Sequence, residues 1–200
     1  KRVGVLSKVL VKHSNGEGNV DFLLPQRSVL DKIIDNLRFY LDKYVFRYNM
    51  DYDPFSFGYR SSISDKFLAK LQMLPTADVI VFYAIEDFLT FNDIRNAFFF
   101  SRAKIFLCPV DGAYFTGGCH YPWNCTGYAR TCGNCPALKS SYKFDKSYKN
   151  LMRKQQLLTD VTVSFIICTS WAEEKITNSS LFKGSKHKKI YLPVNEELFV

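Results

Sequence analysis

Two hundred residues, 47% of them hydrophobic, suffice for the core of one domain, or of a domain and a half. With 23% charged residues and no apolar run near the ~18 needed to cross a bilayer, the composition excludes a disordered chain and a helical membrane span. A formal net charge of +8 suits an anionic partner, whether phosphorylated substrate, acidic membrane surface or nucleic acid, without choosing among them.

Lys1 and Arg2 lead into a strand-like run with no small-residue cleavage site, so no secretory signal is expected. Residues 3–11 (VGVLSKVLV) read as a strand, and 13–19 (HSNGEGN) as a polar turn that carries His13 as a loop residue. Ser28, with Asp31 in capping-box spacing, opens a helix whose Leu30, Ile33, Ile34, Leu37, Leu41 and Tyr44 share a face that needs a sheet to cover. Residues 48–59 (YNMDYDPFSFGY) are aromatic and irregular, packing locally or stacking on a ring-shaped ligand, and 67–74 (FLAKLQML) after Ser64 and Asp65 form a short helix.

A clearer rhythm follows. Residues 79–85 are a strand, Thr90 and Asp93 cap a helix, and residues 104–108 (KIFLC) are another strand. After a cysteine-rich loop, 142–158 read as a basic amphipathic helix, 161–169 as a strand, 170–178 as a helix capped by Ser170, and 189–192 as a last strand. The run KGSKHKK at 183–189 reads as a solvated turn or a membrane-surface patch. Strands alternating with helices predict a Rossmann-like α/β fold: a parallel sheet with right-handed crossovers and helices on both faces. Cys108 and Cys168 sit in apolar strands, as inert core residues do.

The loop, residues 111–138, interleaves Cys119, Cys125, Cys132 and Cys135 with glycines and prolines and cannot be a regular helix. The spacing C-x5-C-x6-C-x2-C admits three readings. The two-residue gap between Cys132 and Cys135 lets both thiolates meet one metal, and Cys119 and Cys125 complete a tetrahedral structural zinc site. Disulfides are the second reading, for an extracytoplasmic protein, and free thiols the third. With all four positions filled by protein, such a zinc would hold the loop and activate no water. What it would hold is Phe115-Thr116-Gly117-Gly118, whose glycines let backbone amides approach a ligand closely at the carboxyl end of a parallel strand.

The segment FTGGCHYPWNCTGYARTCGNCPAL resembles the FTGGCHY...C...CGxCPxL signature of the bacterial family 4 glycosyltransferases that build cell-surface polysaccharides. The resemblance extends to ADVIVFYAIEDFLTFNDI, similar to the family's ADIIHLHWI-type strand with its loop and helix, and to KKIYLPVNEELFV, similar to its IPNGVD..LF interdomain segment. It implies half of a GT-B fold: residues 1–193 as an acceptor-binding domain lacking its first strand and helix, and 194–200 as the start of the linker to a sugar-nucleotide domain. An isolated half should not transfer sugar.

The resemblance further implies a glycan or lipid-linked acceptor, a nucleotide-sugar co-substrate, retention of configuration, and a cytoplasmic enzyme peripheral at the inner face of the plasma membrane. Thr116, Gly117, Gly118, His120 and Tyr121 are then the acceptor-side candidates, and Asp111 the catalytic candidate, orienting a hydroxyl or acting as a base. An Asp at that position also makes an ordinary turn cap. Where many members carry His-Asp, this chain has Val110-Asp111, so one imidazole is missing. No nucleic-acid partner is expected. The alternative is a basic, zinc-stapled α/β module for nucleic acid or another anion, using Lys143, Lys146, Lys149, Arg153 and Lys154.

Overall fold

A computed structural model describes residues 10–11, 22–23, 33–34, 37, 49–52, 77–85 and 88–191. The chain divides into two compact units, Lys1–Asp42 and Lys43–Val200. In the first, β1 (Leu10–Val11) pairs in parallel with β2 (Phe22–Leu23), a strand that the sequence pattern did not reveal. Ile33, Ile34 and Leu37 are helical as expected, but the face they share stands exposed. His13 and the helix expected at 67–74 lie outside the described residues.

The second unit is built on a four-stranded parallel sheet: β3 (Val79–Tyr83), β4 (Lys104–Cys108), β5 (Val163–Ile167) and β6 (His187–Lys189), lying side by side in chain order. Between them run α1 (Phe91–Ser101), α2 (Lys146–Leu158) and α3 (Ser170–Asn178). The start of α1 is written locally. Thr90 Oγ1 accepts from the Asp93 backbone N–H, and the Asp93 carboxylate accepts from the Thr90 N–H at 2.7 Å, a complete capping box. The cap of α3 is Thr169 and not Ser170, because the Thr169 hydroxyl accepts from Ala172 N–H. Residues 142–145 precede α2, whose first turn is capped by Asp145.

Consecutive strands joined by crossovers of one hand place their helices on one face of the sheet, and α1 and α2 do pack together. The register pairs Ile80 with Ile105, Phe82 with Leu107, and Leu107 with Phe165, so these residues share one face. On it Phe82, Ile105, Leu107, Phe165 and Ile167 are buried and form the core. The opposite face leaves Val79, Val81 and Tyr83 exposed and Phe106 and Ile166 half-buried. A second helical layer, expected from the sequence, is not among the described residues.

The basic run at 183–189 is only partly a turn. Its last three residues form β6, and Lys189 Nζ reaches Glu173 Oε2 at 3.0 Å, with His187 Nε2 3.5 Å from the other carboxylate oxygen. Those contacts hold the Glu173 carboxyl below its ordinary range, chiefly through the Lys189 hydrogen bond. No helix among the described residues is long and apolar enough to cross a membrane.

Candidate functional site: a clamped glycine turn

The site begins where β4 ends, the carboxyl edge at which open parallel sheets place their ligand crevices. Asp111 caps the 3-10 turn Gly112–Tyr114 by accepting from Ala113 N–H at 2.8 Å, and its other oxygen accepts from His120 Nδ1 at 2.7 Å. Both side chains are nearly buried. The Gly112 N–H donates to the His120 carbonyl at 2.6 Å, closing the chain between them into a compact lobe. His120 is therefore a partner of the carboxylate through Nδ1.

Inside the lobe, Thr116 is fully buried. Its hydroxyl donates to the Cys119 carbonyl at 2.7 Å and accepts from Gly118 N–H at 3.1 Å. The Gly117 carbonyl accepts from Asn150 Nδ2 at 3.0 Å. Of the five acceptor-side candidates, Thr116, Gly117, Gly118 and His120 brace the turn from within, and Tyr121 alone is exposed.

The brace comes from α2. Ser147, Asn150, Leu151 and Lys154 recur every three or four residues, so they fall on one helix face, and all four are buried. This buried stripe is mostly polar. Asp145 accepts from Ser147 N–H, Tyr148 N–H and Ser147 Oγ, and its second oxygen accepts from Cys135 N–H at 2.9 Å. Ser147 Oγ in turn accepts from Gly133 N–H. Lys154 Nζ donates to the carbonyls of Ala113 and Thr116 and lies 4.9 Å from the centre of the Phe91 ring.

That placement takes Lys154 out of the anion-binding face of the alternative reading. Lys154, grouped there with Lys143, Lys146, Lys149 and Arg153, is turned inward because two loop carbonyls need a donor, whereas Lys143, Lys149 and Arg153 stay exposed.

Cys119, Cys125, Cys132 and Cys135 line one small cavity of about 20 Å³, shared with Thr116, Gly117, Gly127, Tyr128, Gly133 and Ser147. All four are free thiols. The chain makes a left-handed knuckle between the last two, with φ of 56° at Cys132, 88° at Gly133 and 47° at Asn134. Burial first of all, with the neighbouring sulphurs adding to it, pushes the Cys119 and Cys132 thiols up to about 12, and burial raises Cys135 too. As they stand, no three or more His, Cys, Asp or Glu side chains among the described residues converge to hold an ion. The four thiols nonetheless share one cavity, and thiolate is a donor type that zinc takes.

No protein-family model, curated protein or solved structure matches the chain.

The segment at 49–52 fastens the loop from another side. Asn49 N–H donates to the Ala137 carbonyl, Trp123 Nε1 donates to the Asp51 carbonyl at 2.7 Å, and Tyr52 packs on Cys135, Ala137 and Leu138. The aromatic stretch containing it thus packs locally at its described end. Sequence reading missed Asp145, Ser147 and Asn150. The one available signal was Asp145 as an N-cap, since the other two look like ordinary helix residues.

Proposed function

We propose that this chain is the acceptor-side domain of a glycosyltransferase that moves a sugar from a nucleotide donor onto a cell-surface polysaccharide or lipid-linked glycan. The observation that carries the reading is the Asp111–His120 pair, held nearly buried in a braced glycine turn at the carboxyl end of a parallel strand. The carboxylate is fixed by Ala113 N–H and by the imidazole, so it needs little reorganisation to orient or deprotonate an acceptor hydroxyl. The parallel sheet with its crossover helices and the motif resemblance are compatible with the same reading. In it, the donor's nucleotide lies against a second Rossmann-like domain following residue 193, and the enzyme works in the cytoplasm, peripherally at the membrane.

In the polypeptide that carries both domains, incubated with labelled nucleotide sugars and lipid-linked acceptors, Asp111→Asn and His120→Gln are each expected to lower kcat by about 100-fold or more. Undiminished transfer by both variants would remove these residues from the chemistry. Absence of transfer with every donor tried would remove the function.

A structural zinc at Cys119, Cys125, Cys132 and Cys135 belongs to the same proposal. Its chemistry would be confined to neutralising thiolates and tying the loop to α2. Elemental analysis is expected to find about one zinc per chain, with chelation lowering the melting temperature and releasing four reactive thiols. Folded protein that carries no zinc as purified, before any chelator is added, with its four thiols reactive or oxidised, would overturn it.

A further inference from the structure

Four aromatic rings form a ladder from the core to the surface beside the turn. Phe115, fully buried within the lobe, lies 6.1 Å from Trp171 in the first turn of α3, Trp171 lies 6.4 Å from Tyr121, and Tyr121 stacks on Trp123 at 5.8 Å with 28° between planes. The outer three remain 36% (Trp171), 42% (Tyr121) and 59% (Trp123) exposed. Single exposed aromatics are ordinary on protein surfaces, but three joined through Tyr121 make a patch that calls for a ligand.

The ladder is also built in advance. Trp123 has its one polar atom committed to the Asp51 carbonyl, and Phe115 and the α3 backbone anchor the inner end. Immobilised rings bind without the side-chain ordering that normally weakens association.

We propose that Tyr121, Trp123 and Trp171 form a platform on which an uncharged pyranose ring of the glycan acceptor stacks. This rests on the acceptor-side reading above and names the chemistry of one part of that acceptor. The C–H groups of a pyranose face carry partial positive charge and meet the negative faces of aromatic rings, while the hydroxyls stay in water. The platform contains no Asp, Glu, Lys, Arg or His. The charges on α3 answer one another or β6: Glu174 pairs with Lys175 at 3.0 Å, and Glu173 with Lys189 and His187. That arrangement suits a neutral ring better than a phosphate or an anionic headgroup.

The test uses the full chain and neutral trisaccharides of glucose, galactose and mannose. At least one is expected to shift the indole N–H resonances of both Trp123 and Trp171, and Trp123→Ala with Trp171→Ala should weaken that binding at least tenfold. The paired Phe substitutions, which keep a ring, should retain it within about threefold. Indole resonances that no trisaccharide moves would overturn the proposal without recourse to any variant. So would binding unchanged by the paired Ala substitutions, or Trp-dependent binding to phosphatidylglycerol vesicles in the absence of saccharide binding. Saccharide binding in a two-domain protein that transfers no sugar would sink the function and leave the platform. Transfer whose acceptor KM ignores both tryptophans would do the reverse.

Discussion

Gly133→Ala is expected to destabilise the second unit by about 4 kcal/mol or more, enough to unfold the cysteine loop in an otherwise marginally stable domain. A Cβ there would drive into the backbone carbonyl of Lys143, and the residue's φ of 88° is strained for any L side chain. Backbone cannot rotate away as a flexible side chain can. Gly117→Ala should behave similarly without the conformational part, since its Cβ would meet the Ser147 carbonyl at the start of α2 while its φ is not left-handed. Gly184→Ala is the control that separates the two effects. It shares a φ of 85° but has nothing within 4 Å of its added Cβ, so it should cost only about 1 kcal/mol. Denaturant titration of the three variants checks the order, and a Gly133→Ala variant no less stable than Gly184→Ala would disprove the close seating of the loop on residues 143–147.

Lys154→Met is expected to lower stability by about 3 kcal/mol, equivalent to roughly 6–12 °C in melting temperature. Methionine fills much of the volume but donates nothing, so the carbonyls of Ala113 and Thr116 lose a buried donor, and the Phe91 ring loses its cation. Lys149→Met, on the exposed side of the same helix, should change stability by no more than about 0.5 kcal/mol. The pair also separates two views of α2. If its lysines served an anionic ligand together, both variants would weaken salt-dependent binding, whereas a bracing lysine shows itself in thermal melts.

The two variants mark the boundary of what could be read beforehand. Strands at 79–83 and 104–108 were legible because β-branched and aromatic runs bounded by turn residues carry their own signal. The irregular turn after β4 was legible too, from two glycines following a strand. The roles within it were not. Thr116, Gly117 and Gly118 look like ligand-facing residues in a linear motif, yet they spend their hydrogen bonds on Cys119, Asn150 and one another. Tyr121 and Trp123 could be named as aromatic neighbours, but nothing in the linear order brings Trp171 beside them, because that contact depends on β5 lying next to β4.

By itself, then, the sequence determined the elements whose causes lie within a few residues: the Thr90–Asp93 capping box, the parallel strand and helix alternation, and a cross-linkable loop too rich in glycine and proline to be regular. Only the tertiary structure decided that α2 buries a polar stripe. Asn150 and Lys154 are chosen by carbonyls 33, 38 and 41 residues away, and hydrogen-bond demand of that kind leaves no periodic apolar trace. Hydrophobic burial is visible in a chain's own pattern because water is everywhere, whereas a buried donor is intelligible only once its acceptor is in place.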